Sequence, residues 1–291
     1  MRSWLFVPAD RPRMLDKAYA SGADALILDL EDSIGPARKG EARSSAFAFL
    51  RERRTTADRP FLYVRINSLD TMLNEGDLDM VMTAAPDGIV LPKAARGSDI
   101  ALLDSRMAVR EALHNIADGS TRIVAIATET AAALFGLGTY AGASPRLAGI
   151  AWGGEDLAAD VGALGTRDHG DWTEPFRLAR NLCLFGAAAA GVPALDTVYT
   201  DFRDVEGLRR ESRAAARDGF SGKLVIHPDQ VAIVNEAFTP DTASIERARR
   251  IVAAFADSAE AGVTSLEGRM LDRPHLKAAE RLLARLGSSL G

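Results

Sequence analysis

Residues 25–32 read Ala25-Leu26-Ile27-Leu28-Asp29-Leu30-Glu31-Asp32, an unbroken apolar run that ends abruptly in acid. A strand half-exposed to water alternates polar and apolar residues, whereas a parallel strand buried on both faces does not. This run therefore predicts a buried parallel strand whose C-terminal end carries charge. Seven similar runs surround it: 4–7, 61–66, 88–92, 122–128, 147–152, 194–199 and 223–227. Helical patterns lie between them. Asp10-Arg11-Pro12 reads as a capped helix start closed by Gly22, Asp171 to Pro175 opens an Ala-rich helix ending near Gly191, and Arg209 to Asp218 forms a third pattern closed by Gly219. Eight strands alternating with helices over ~250 residues predict a closed (β/α)8 barrel. A doubly wound open sheet is the rival fold, and the lack of G-x-G-x-x-G after the first strand counts against a dinucleotide site in it.

The barrel is expected to occupy residues 1–240. Beyond it the strand pattern stops, leaving helices around 244–257 and 274–287 joined by a Gly-containing connection. Residues 241–291 are thus expected to form a C-terminal helical extension packed on a barrel.

Composition narrows the function classes. The 291 residues are 47% hydrophobic and 26% charged with a net charge of −5, so no broad basic face for nucleic acid is expected. No apolar run approaches the ~18 residues of a membrane span, and Met1 to Val7 is too short for a signal peptide. The single cysteine, Cys183, reads as a buried inert thiol, consistent with a cytoplasmic protein.

In such barrels chemistry gathers at the C-terminal strand ends. Those ends carry Asp29, Glu31 and Asp32; Arg65 and Asn67; Lys93; Thr128 and Glu129; Gly153, Gly154, Glu155 and Asp156; Asp196; and His227. Glu129 and Asp156 can converge on a hard cation such as Mg²⁺ or Mn²⁺, or each can pair with a nearby Arg or Lys. Arg65 can grip a dicarboxylate substrate with its planar fork, or can serve as a partner of Glu31 or Asp32. Lys93 suggests a Schiff base, but neighbouring carboxylates would raise its pKa, which favours an ion pair. His227 reads as structural and Trp152 as a pocket wall. Gly153 and Gly154 allow backbone N–H groups to approach an anionic ligand. Arg13, Lys17 and Lys39 follow the first two strands and are candidate phosphate contacts.

Several segments together resemble the citrate lyase β-subunit-like group of the HpcH/HpaI aldolase superfamily, which includes malyl-CoA and citramalyl-CoA lyases. They are Ser3-Trp-Leu-Phe-Val-Pro8, Gly22 to Asp32, Val64-Arg-Ile-Asn67, Leu91-Pro-Lys93, Glu129-Thr-Ala131, Trp152-Gly-Gly-Glu-Asp-Leu157, Ile226-His-Pro228 and Gly268 to His275. The resemblance implies that Glu129 and Asp156 hold Mg²⁺ and that Arg65 binds the substrate carboxylate or carbonyl. It casts Glu31 and Asp32 as supporting or water-mediated partners of metal and substrate, with Gly153 beside the substrate. Asp272 resembles the acid/base that a C-terminal lid contributes to an adjacent subunit, which implies a homotrimer or hexamer acting on an acyl-CoA. The segment after Lys93 reads Ala94-Ala95-Arg96, where many relatives have a glutamate, so no coenzyme A contact is carried over there. The implied activities are cleavage of a 3-hydroxyacyl-CoA to acetyl-CoA and a 2-keto acid, a citrate lyase β-subunit role on an acyl carrier protein, thioester hydrolysis, or non-catalytic acyl-thioester sensing.

Overall fold

The computed structural model describes residues 1–256 and 263–287. In chain order the first unit runs β1 (Ser3–Pro8), α1 (Pro12–Tyr19), β2 (Ala25–Asp29), α2 (Lys39–Arg53), β3 (Phe61–Arg65), α3 (Leu73–Val81), β4 (Gly88–Leu91) and α4 (Gly97–Leu113). It continues with β5 (Arg122–Ile126), α5 (Ala131–Leu134), β6 (Leu147–Ala151), α6 (Glu155–Val161), β7 (Arg167–Asp168) and β8 (Asp171–Trp172). It ends with α7 (Glu174–Ala190), β9 (Ala194–Asp196), α8 (Val205–Asp218), β10 (Gly222–Val225) and α9 (Pro228–Phe238). All strands but β7 and β8 close into one parallel barrel, in the order β1-β10-β9-β6-β5-β4-β3-β2. The (β/α)8 expectation holds, and the open-sheet rival falls.

Side chains sort by parity along each strand. Trp4, Ala25, Ile27, Tyr63, Val90, Val124, Ile126, Ala151, Leu195 and Leu224 fill the barrel interior, with Trp4 and Tyr63 rings 4.8 Å apart. Their neighbours, such as Leu26, Leu28, Leu62, Val64 and Ile89, face the helices in the outer core. Helices meet that layer with one stripe, as α7 does with Phe176, Ala179, Arg180, Cys183 and Ala187. Cys183 is buried and free, as expected.

Three expectations need correction. Asp10 does not cap α1: Arg11 occupies the N-cap without a side-chain bond, and the Asp10 carboxylate instead pairs with Arg38 at 2.7 Å. The segment before α7 is not merely a helix start. β7 and β8 form an antiparallel hairpin over His169-Gly170, both at positive φ as a tight two-residue turn requires. Nor does the strand pattern stop after residue 240.

The second compact unit comprises Thr239 onward with Met1. It contains α10 (Thr242–Ala256), the antiparallel hairpin β11 (Val263–Leu266) and β12 (Arg269–Asp272), and α11 (Arg273–Gly287). Ala248, Ile251, Phe255, Leu271 and Ala279 make its own small core. The connection at 257–262 lies outside the described residues. No described helix is long and apolar enough to cross a membrane.

Candidate active site

The inward parity of β2 and β3 continues one step past Ile27 and Tyr63, to Asp29 and Arg65. These two are register partners at the C-terminal mouth. They line a cavity of about 330 Å³ together with Phe6, Glu129, Gly153 and Asp156. Arg65 meets Asp29 through two bonds, Nε–Oδ1 and Nη2–Oδ2, both 2.7 Å. Its Nη1 pairs with Glu31 Oε2 at 2.9 Å, and its guanidinium lies 4.7 Å from the centre of the Phe6 ring. Two of the five guanidinium N–H groups are thus hydrogen-bonded, both to Asp29, and the Glu31 contact is an ion pair without a hydrogen bond. The fork that the sequence offered to a substrate carboxylate grips Asp29 instead. Burial works against the Asp29 charge, but Arg65, the Ser33 side chain and the backbone N–H of Glu31 outweigh it and hold the carboxyl below its usual range.

Lys93 takes a left-handed conformation, φ 52°, after Pro92. That backbone lets one residue serve two acids: its N–H donates to Glu129 Oε2 and its Nζ donates to Glu31 Oε1. Asp32 and Asp156 lie 3.5 and 3.4 Å from the same Nζ. Burial disfavours the ammonium, yet the Glu31 bond and the charges of Glu31, Asp156 and Asp32 outweigh it and raise its pKa. A lysine so held is not a Schiff-base nucleophile, and the ion-pair expectation stands. Lys39 is withdrawn as a phosphate contact, since its Nζ donates to the Leu30 and Glu31 carbonyls and to Asn67 Oδ1, each at 2.7 Å. Arg13 and Lys17 are exposed on α1.

Burial pushes the Glu129 carboxyl up to about 8; Asp156 and Glu31 add to the rise, while the Lys93 N–H and Arg65 oppose it. Asp29, Glu31, Asp32, Glu129 and Asp156 outnumber Arg65, Lys93 and the nearby Lys39, so the cluster is short of positive charge. Among the described residues no three of His, Cys, Asp and Glu converge as a ready metal cage. Two lining carboxylates, Glu129 and Asp156, fit a divalent cation that keeps several positions for water and substrate oxygens. Gly153 has a different task from the one expected. Its N–H donates to Thr128 Oγ1 at 3.0 Å, and a Cβ there would stand 2.7 Å from Glu129 Cγ, so the glycine makes room for that carboxylate.

Not every candidate joins the cavity. Glu31 and Asp32 are not among its lining residues and act through Arg65 and Lys93. Asp272 belongs to the second unit, where its Oδ1 is 2.5 Å from His275 Nδ1. His227 stacks on Phe202 with ring centres 5.0 Å apart and accepts the Asp229 N–H, the structural role expected of it. Asp196 sits on the outward parity of β9 among Trp152 Nε1, Arg180 and Lys223, so it is a buried wall residue rather than a rim acid. Phe6 was missed as a site residue; counting by twos from Trp4 would have placed it at the mouth.

A family model described as a carbon–carbon bond lyase of the TIM-barrel fold matches residues 174–287. The HpcH/HpaI aldolase/citrate lyase model matches residues 2–228, and the chain belongs to that family. Citrate lyase subunit beta of Leuconostoc mesenteroides is 35% identical over 97% of this chain and 92% of its own. A (3S)-malyl-CoA thioesterase of Cereibacter sphaeroides is 35% identical over 98% and 94%. The crystal structure of protein CitE from Mycobacterium tuberculosis in complex with magnesium, acetoacetate and coenzyme A superposes with a TM-score of 0.76, at 36% identity and 98% coverage of both chains.

Proposed function

We propose that the chain is a magnesium-dependent lyase that splits a 3-hydroxyacyl-CoA of the malyl or citramalyl type into acetyl-CoA and a 2-keto acid. The observation that carries this reading is the pair Glu129 and Asp156 on one cavity with Arg65, in a cluster short of positive charge. The magnesium- and coenzyme A-bound relative supports the cofactor and the carrier. Mg²⁺ held by Glu129 and Asp156 would supply Lewis acidity toward the substrate's hydroxyl and carboxylate oxygens.

The chain's own groups do the rest. Arg65, kept rigid by Asp29 and Glu31, turns its free N–H groups to the substrate carboxylate or carbonyl. Lys93 keeps Glu129 and Glu31 in place. The hydroxyl proton passes to water at the mouth as the C3–O bond becomes the carbonyl of the departing keto acid. The C2–C3 bond breaks, and its electron pair passes to C2 in conjugation with the thioester. Asp272, brought by the C-terminal extension of an adjacent subunit in a trimer or hexamer, gives C2 its proton. The extension acts as a lid that keeps water from the enolate.

The test is product analysis with citramalyl-CoA and malyl-CoA, with Mg²⁺ and with EDTA. Acetyl-CoA plus pyruvate or glyoxylate, formed only with Mg²⁺, is expected; turnover that persists in EDTA overturns the metal assignment. Asp272→Asn is expected to lower turnover at least ~100-fold while sparing Mg²⁺ binding. Mixed Asp272→Asn and Glu129→Gln oligomers are expected to regain activity in hybrid sites. The thioesterase relative motivates a second reading, in which water attacks the thioester carbonyl and free CoA appears with the hydroxy acid intact.

A further inference from the structure

On the outer wall of the barrel, α7, α8 and the β7–β8 hairpin line a second cavity of about 500 Å³. Five arginines line it against three acids. Most of the cations are engaged: Arg167 with Glu211 at 2.5 Å, and Arg180 and Arg217 with Asp218, each at 3.0 Å. Arg177 donates to the Trp172 carbonyl at 3.0 Å and pairs with the exposed Glu174. Arg210 is different. It is exposed and makes no hydrogen bond or ion pair among the described residues, although its charge is felt at Asp204. Asn181, also lining the cavity, makes no side-chain hydrogen bond among them.

Trp172 lines the same cavity, but its indole N–H is buried and closed off from it. Asp171, also in the lining, makes no side-chain ion pair or hydrogen bond among the described residues.

We propose that this groove binds a phosphate group, held by Arg210 with Asn181 and the surrounding arginines. Guanidinium forks and amide N–H groups match phosphate oxygens in geometry and charge. The cavity has the volume of a small-molecule site. The Trp172 ring packs at 4.8 Å from that of Trp152 and carries the Arg167 guanidinium 3.6 Å from its centre, so occupancy of the groove is readable in tryptophan emission.

Calorimetry and tryptophan emission with inorganic phosphate and with ADP test this on the full-length protein. Saturable binding is expected, weakened at least tenfold by Arg210→Ala, an exposed position whose replacement leaves the fold intact. ADP binding at least tenfold tighter than phosphate, with the same Arg210 dependence, identifies a nucleotide ligand; equal affinities identify free phosphate. Binding unchanged in Arg210→Ala, or no saturable binding of either probe, overturns the proposal. Neither outcome touches the lyase reading, which product analysis decides separately.

Discussion

Asp29 and Arg65 stand opposite each other in the ladder between β2 and β3, and their side chains close a two-bond fork at the mouth of the barrel. The arginine is thereby fixed by the strands themselves rather than by a loop. Replacing it with lysine keeps the charge and removes the fork. Arg65→Lys is expected to cost about 100-fold in kcat/KM, or ~2.7 kcal/mol of transition-state stabilisation. Steady-state kinetics at wild-type level would show that a point charge is enough.

Gly153→Ala puts a methyl group 2.7 Å from Glu129 Cγ. Overpacking of this kind costs ~1–3 kcal/mol. The displaced carboxylate is expected to weaken Mg²⁺ binding at least tenfold, read as the metal concentration giving half-maximal activity. An unchanged metal requirement would detach Gly153 from the position of Glu129.

Lys93 is held as an ammonium by Glu31, Asp32 and Asp156. Borohydride added with pyruvate or glyoxylate is therefore expected to leave activity and protein mass unchanged. A reduced adduct on Lys93 would reinstate amine chemistry.

The buried cluster of Asp196, Lys223 and Arg180 predicts two pH limbs of stability. Burial opposes the Asp196 charge, but Lys223 and Arg180 outweigh it and lower the carboxyl below its ordinary value. Its contribution is present above the unfolded pKa of ~3.9 and is lost as pH falls through the folded value. Burial likewise opposes the Lys223 charge, but Asp196 and Glu211 prevail and raise it. That contribution is full below ~10.4 and is lost as pH rises through the folded value. Asp196→Asn is expected to lose ~3–5 kcal/mol at pH 7 and to flatten the acid limb. Denaturant midpoints between pH 3 and 8 provide the check; a mutant that kept the wild-type acid limb would assign it to other carboxylates.

Much of this was legible in the residues. The eight apolar runs announce the barrel because burial on both faces leaves a parallel strand no room for polar alternation. Glu129, Asp156 and Arg65 declare themselves as charge at strand ends. Asp196 misleads because an acid near a strand end reads as a rim acid until the face served by its parity is counted. The His169-Gly170 and Glu267-Gly268 turns hid two hairpins, since neither pair is the usual Asn-Gly or Asp-Gly signal. Lys93 could not be foreseen as a bridge, because its double reach depends on a backbone conformation that a lysine rarely adopts.

The strict alternation of inward and outward residues along β2 also limits how this barrel can change length over time. Ile27 and Asp29 look inward while Leu26 and Leu28 look toward the helices. Deleting one residue from the strand would exchange the two sets, pointing leucines into the mouth and the acid into the wall. Insertions and deletions that survive here must come in twos or fall in the loops. Lineages of this chain should therefore differ in the stretches between strands far more readily than within them.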